Sequence, residues 1–238
     1  MTKAKQVIRI LVADDHAIFR DGLRKLLEAA DEIQIVGEAS NGVECVKMLG
    51  KLKPDILLLD LRMPEKDGLG RAYAAGMAEA VAEGAEYVLQ MDSDGSHPAA
   101  TALQMLGVAL STGCGMVVGS RYVSGGSLGE GWPIRRRMLS AWANWYTATV
   151  LGLPLRDITS GFTLWRADVL RETVLGRTAS AGYSFQVEAK TLALRAGHAA
   201  IEVPIRFEQR RAGASKMNLA VQAESALVPW QLRLRRPS

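Results

Sequence analysis

The chain has 238 residues, 48% of them hydrophobic and 23% charged, with a formal net charge of +4. That composition supports a packed core of one or two domains and excludes a disordered tail, a collagen-like repeat and a disulfide-knotted mini-protein. The positive charge is too mild to argue for nucleic-acid binding, and no nucleic-acid partner is expected. Its distribution is more informative. Residues 1–66 carry 7 Lys and 4 Arg against 11 acidic residues, whereas residues 67–238 carry 2 Lys and 16 Arg against 14, and all 5 Trp lie beyond residue 131. So abrupt a change of basic vocabulary predicts a seam near residue 66.

In chain order, the apolar run at residues 8–13 ends in Asp14-Asp15 and reads as a buried strand. Phe19, Leu23, Leu26, Leu27 and Ala30 then recur at helical spacing. Residues 33–36 predict a second strand, and Val43, Val46, Met48 and Leu49 a second helix ending before Pro54. The segment DILLLD, residues 55–60, is a third buried strand. Past the suspected seam the alternation continues. An Ala-rich helix over 68–84 places Tyr73, Met77 and Val81 on one face, and a strand at 87–91 leads into Asp92-Ser93-Asp94. A helix over 98–111 and a strand at 116–120 follow. Next come a Gly-rich loop at 124–131, the triple Arg135-Arg136-Arg137, an apolar helix, and a strand near 201–207. Short apolar strands alternating with helices predict a three-layer α/β fold around a mostly parallel sheet.

Cys45 and Cys114 form no CxxC pair, and no signal-peptide pattern is present, so two reduced thiols in a cytoplasmic protein are expected. A long stretch without charge, residues 138–155, includes Ser140, Asn144, Thr147 and Thr149. It falls short of the roughly 20 strongly apolar residues of a membrane span. A peripheral contact at the inner membrane face remains open to it; crossing does not.

Asp14, Asp15 and Asp60 each stand where a parallel strand meets its loop, the functional edge of such a sheet. Three carboxylates gathered there call for a hard cation such as Mg²⁺. An Asp in this position also caps helices, which is the simpler role open to Asp15. Residues 8–68, with ILVADDHAIFRDGLRKLL and PDILLLDLRMPEKDGL, resemble the N-terminal half of a response-regulator receiver domain of the LuxR/NarL type. The resemblance implies a flavodoxin-like half, with Asp60 as phospho-acceptor for a histidine kinase and Asp14 and Asp15 as metal ligands. The family also supplies a Ser or Thr after its fourth strand and a Lys after its fifth. Here those strands end in Met91-Asp92-Ser93-Asp94 and Gly119-Ser120-Arg121, and no Lys occurs between Lys66 and Lys190. Arg121 brings charge to that position but not the shape of a lysine.

The second constellation is a DxD pair, Asp92 and Asp94, at a strand end. Two carboxylates so spaced can share a divalent ion with a diphosphate. The pair is followed in order by GSHP, VGSRY, DITSGF, GYSFQVE and an RxxGxSK pattern at Arg210, Gly213, Ser215 and Lys216. The series resembles the C-terminal part of a family 2 glycosyltransferase, nearest to the dolichol- and polyprenol-phosphate mannose synthases, from GLGRAYAAGM onward. It implies a GT-A fold, with Asp92, Asp94 and Asp157 as catalytic residues and Mg²⁺ or Mn²⁺ on Asp92, Asp94 and Ser96. It further implies phosphate binding by Arg121, Arg135, Arg136, Arg137, Arg210, Ser215 and Lys216. The donor is a nucleotide sugar, GDP-mannose by resemblance, and the acceptor a polyprenyl or dolichyl phosphate.

The family's nucleoside-binding motifs, a P-x-Y-N-E-type turn and a D-D-x-S-type motif, are missing. Their positions read Ala13-Asp14-Asp15-His16 and Glu38-Ala39-Ser40-Asn41. A pocket without those polar partners loses nucleoside affinity, which implies an impaired transferase. The whole therefore reads as a Rossmann-like hybrid: a receiver-like βαβαβ half over 1–66, and a glycosyltransferase-like part over 67–238 in one continuous sheet. The receiver strand order is expected at its start, with the strand at 87–91 next to the third strand and not to the first. The leading function is a metal-dependent transferase; the alternative is a receiver module phosphorylated on Asp60 in a two-component phosphorelay.

Overall fold

A computed structural model describes residues 7–60, 69–92, 96–178, 184–208 and 219–235. The first half runs β1 (Ile8–Ala13), α1 (Ala17–Leu27), β2 (Ile33–Ala39), α2 (Gly42–Leu52), β3 (Ile56–Asp60) and α3 (Leu69–Ala82). Then come β4 (Tyr87–Met91), α4 (Ala99–Thr112), β5 (Met116–Ser120), β6 (Ser127–Leu128) and α5 (Ile134–Leu151). The chain continues with β7 (Thr163–Arg166) and α6 (Ala167–Val169), which runs on into a π-turn at Leu170–Val174. It ends with α7 (Ser184–Arg195), β8 (Ala200–Pro204), β9 (Arg206–Phe207) and α8 (Leu219–Leu234).

Seven strands form one sheet in the order β2-β1-β3-β4-β7-β5-β8, all parallel except β7; β6 and β9 pair separately. The suspected seam therefore falls inside a single sheet. β3 pairs with β4 in unbroken register from Ile56↔Tyr87 to Asp60↔Met91, and β1 pairs with β2 and β3. The receiver order expected at the start of the sheet is the order found.

Strands buried on both faces explain the uninterrupted apolar runs. In β1, Leu11 and Ala13 point into a core closed by α2, α3, α7 and α8, while Ile10 and Val12 point into one closed by α1 and α4. Helices thus cover both faces, which gives the three layers. Fully burying one of these Leu or Ile side chains is worth about 1.5–3 kcal/mol, so the sheet is the main source of stability.

Three local readings change. In α2 the exposed large apolar residues are Val43 and Val46, and the buried residues are Cys45 and Leu49. The phase is set by the N-cap: Asn41 Oδ1 accepts from Glu44 N at 2.9 Å, and the Glu44 carboxylate accepts from Ser40 N at 2.7 Å. Second, α5 begins at Ile134, so the arginine triple lies in its first turn and not ahead of the helix. Third, the antiparallel β7 was not anticipated. It separates β4 from β5, and its short alternating TLWR gives no signal of strand direction. The expected face of α3 holds for Met77 and Val81, both buried; the Tyr73 side chain lies outside those described. Cys45 and Cys114 are buried and unbridged, and burial pushes the Cys45 thiol up to about 12, which makes it unreactive.

Candidate active site at the carboxyl edge of the sheet

One edge of the sheet collects the polar residues. Asp14 and Asp15 follow β1, Asp60 ends β3, Asp92 follows β4, and Arg121 follows β5. Because β7 is antiparallel, its start faces the same edge, and it is preceded there by the loop over residues 157–162. Of the predicted residues, Asp94, Arg210, Ser215 and Lys216 lie outside the described residues.

The most ordered part is the pair Arg121–Asp157. Arg121 donates from Nε to Asp157 Oδ2 at 2.7 Å and from Nη2 to Oδ1 at 2.6 Å, and its backbone N–H donates to Oδ2 at 2.9 Å. Nη2 also reaches Thr159 Oγ1 at 3.0 Å. Burial works against the Arg121 charge, but the Asp157 carboxylate outweighs it and holds the guanidinium above its ordinary value. Such a fork-to-fork pair is rigid and strong where both partners are desolvated.

The loop that carries Asp157 is tied down at every turn. Glu202 of β8 accepts from Arg156 N and Asp157 N, each at 2.9 Å. Asn144 of α5 accepts from Thr159 N at 3.0 Å, and Ser160 Oγ donates to Gly119 O at 2.7 Å. Beneath it lies Lys190 of α7, fully buried, whose Nζ donates to Ser160 O at 2.6 Å and Ile158 O at 3.3 Å. Desolvation pushes the Lys190 ammonium down to about 7, against the opposing pull of Asp157. Sequence reasoning passed over Glu202, Asn144 and Lys190. Only Lys190 carried a signal, as one of the two lysines in an arginine-rich stretch.

At the end of β4, Asp92 is half-buried, while Ser96 and His97 are buried. The Asp92 backbone N–H donates to His97 Nδ1 at 2.9 Å. The His97 ring stacks on Phe162 at 4.8 Å and meets Phe207 edge-on at 5.3 Å. Phe207 in turn meets Trp132 edge-on at 5.7 Å, and Arg136 lies over the Trp132 ring at 4.0 Å. Arg135, Arg136 and Arg137 are all exposed, with Arg137 Nη2 donating to Leu128 O at 3.3 Å. Three cations in the first turn of α5 oppose the helix dipole, and an anion bound there would relieve that opposition.

The receiver-like carboxylates also converge. Ligand atoms of Asp14, Asp15, His16 and Asp60 all lie within 4.8 Å of one another, a donor set that fits a divalent cation. His16 Nδ1 is 2.8 Å from Asp15 Oδ1, and His16 N donates to Asp14 Oδ1 at 2.6 Å. Desolvation raises the Asp14 carboxyl above its ordinary range. What stands where a nucleoside pocket was sought is already engaged: Asn41 caps α2, and Glu38 faces Arg24 at 3.2 Å and Arg20 at 3.4 Å.

Comparison with known proteins finds both families in the chain. The response regulator receiver domain family matches residues 10–73. The rest of the chain is similar to a polyprenol monophosphomannose synthase from Mycolicibacterium smegmatis, 38% identical over 175 residues, which are 71% of this chain and 65% of that protein. It is also similar to an undecaprenyl-phosphate mannosyltransferase from Micrococcus luteus, 38% identical over 177 residues, 74% of this chain and 72% of that protein. The chain thus spans just under two thirds of the first relative and somewhat more of the second. Among solved structures, glucosyl-3-phosphoglycerate synthase from Mycobacterium tuberculosis, in complex with phosphoglyceric acid, has the same fold. Its TM-score is 0.54 at 16% identity, covering 98% of this chain and 81% of that one.

Proposed function

We propose, from the premise that the chain belongs to the polyprenyl-phosphate mannosyltransferase family of glycosyltransferases, that it transfers a sugar from a nucleotide donor, GDP-mannose, to a polyprenyl phosphate. The observation that carries this reading is the fixed Arg121–Asp157 pair on the same sheet edge as Asp92, beside an exposed arginine turn.

Mg²⁺ or Mn²⁺, held by Asp92 and Asp94 with Ser96 beside them, would neutralise the diphosphate that leaves as the sugar is transferred. Asp157, oriented through both oxygens by Arg121, presents a fixed charge beside the sugar. Arg135, Arg136 and Arg137 receive the acceptor phosphate, with Arg136 pre-oriented on Trp132. Arg210, Ser215 and Lys216, which lie outside the described residues, are assigned to the donor phosphates by resemblance. The lipid tail and the protein meet the bilayer on an exposed apolar face: Ile134, Met138, Leu139, Trp142 and Trp145 of α5, with Trp230 of α8. Among the described residues no helix is long and apolar enough to cross a membrane. In this reading the protein works as a peripheral enzyme at the cytoplasmic face. The join between its two parts falls at residues 66–69, and with the nucleoside motifs replaced, the donor binds weakly.

A second reading, a receiver phosphorylated on Asp60 by a histidine kinase, is favoured by the convergent carboxylates at Asp14, Asp15 and Asp60. The sheet order weighs against a working switch. β7 stands between β4 and β5, so the end of β5 is three strand spacings, about 14 Å, from β3. Arg121 is moreover committed to Asp157, which leaves no cation at the end of β5, among the described residues, to read an aspartyl-phosphate.

The test is formation of lipid-linked sugar by purified protein with Mn²⁺, labelled GDP-mannose and polyprenyl phosphate. Product that disappears in Asp92→Ala supports the transferase; no product even at high enzyme concentration refutes it. An acetyl-phosphate adduct lost in Asp60→Asn would favour the receiver instead.

A further inference from the structure

We propose that His97 is a positioning residue for Asp92: its Nδ1 fixes the backbone of the residue that holds the metal–diphosphate. This inference deepens the proposed function and rests on it.

Asp92 is the first residue beyond β4, and among the described residues no ladder pairing extends to it. His97, five residues on, supplies the acceptor at 2.9 Å and closes the loop end onto the strand. A backbone N–H can only donate, so Nδ1 must present its lone pair and the ring proton sits on Nε2. The ring has little freedom to turn. It is 4% exposed, lies nearly parallel to Phe162 with 13° between the planes, and is met edge-on by Phe207. Ser96 O accepts from Glu208 N at 3.1 Å, which pins the neighbouring backbone as well. Phe162 ends the loop that carries Asp157, and Phe207 leads through Trp132 to Arg136. One imidazole therefore makes two separable contributions. Its ring packs the donor side of the site against the acceptor side, and its Nδ1 sets the direction in which Asp92 leaves the sheet.

Two variants separate them. His97→Phe keeps a ring between Phe162 and Phe207 but removes the acceptor. His97→Asn places Oδ1 near the position of Nδ1 and removes the ring. Mn²⁺ binding is read by electron paramagnetic resonance of the free ion, taking the component lost in Asp92→Ala so that ions on Asp14, Asp15 and Asp60 do not contribute; Tm is read in parallel. His97→Phe is expected to weaken the Asp92-dependent Mn²⁺ affinity about tenfold as the freed Asp92 backbone shifts, with a smaller fall in Tm than in His97→Asn. His97→Asn is expected to lower Tm while holding the affinity within about threefold. Unchanged affinity in His97→Phe, or equal losses in both variants, overturns the positioning role while leaving the transferase reading intact. Absence of any Asp92-dependent Mn²⁺ binding in the parent protein overturns both.

Discussion

Arg121 and Asp157 show why residue type and spacing alone leave a role open. In sequence Arg121 is a cation after a strand, equally suited to meeting a phosphate or to balancing a carboxylate. Folded, its Nε and Nη2 are taken up by Asp157 and Thr159. Replacing the planar fork with an ammonium removes the bidentate geometry and keeps the charge. Arg121→Lys is therefore expected to cost about 1.5–3 kcal/mol of stability, measured by urea unfolding. Lys190 makes a second prediction at this scale. Its ammonium falls from an ordinary 10.5 to about 7 in the folded chain, so between those values the unfolded chain binds more protons. Stability then rises with pH across that window, the penalty for burying the charge being full below it and relieved above it. Lys190→Met removes this slope. The difference in Tm between parent and variant should shift in favour of the parent from about pH 7 to about pH 9, and a difference independent of pH would count against it.

At the scale of elements, the strands were legible because burial on both faces leaves a continuous apolar run; β1, β3, β4 and β5 stand within a residue of their expected limits. The faces of short helices were less so. In α2 the cap at Asn41 fixes the phase, and one residue of rotation exchanges Val46 for Cys45 at the core. β7 was illegible for a different reason: a four-residue strand carries no mark of its direction, and its place between β4 and β5 depends on partners far off in the chain. The exposed aromatic face was legible in the order of Arg135–Arg137, Trp142, Trp145 and Tyr146, but not its partner. α8 docks there through Tyr146 OH to Ala226 O and Trp230 Nε1 to Tyr146 OH, both at 2.8 Å. Trp142 and Trp145, 52% and 65% exposed, remain turned outward. Trp142→Ser with Trp145→Ser is expected to lower co-sedimentation with anionic phospholipid vesicles about tenfold or more without lowering Tm, since about 1–2 kcal/mol of interfacial burial is lost per indole.

At the scale of the molecule, two ancestries share one sheet. The join is physically easy because both parts build parallel strands covered by helices, and β3 and β4 meet in full register across it. What the join brings together is two sets of acidic groups on one edge: Asp60 pairs with Met91, directly before Asp92. The uneven Lys, Arg and Trp usage pointed to a seam but could not say which set of carboxylates does chemistry. We propose that the chemistry belongs to Asp92 and its partners and that Asp60 is a remnant. The direct measurement is the rate of lipid-linked mannose formation in Asp92→Ala and Asp60→Asn, side by side with the parent protein. A loss of about 100-fold or more is expected in Asp92→Ala and a rate within about threefold in Asp60→Asn. Equal rates in Asp92→Ala and the parent, or a loss confined to Asp60→Asn, would contradict this assignment.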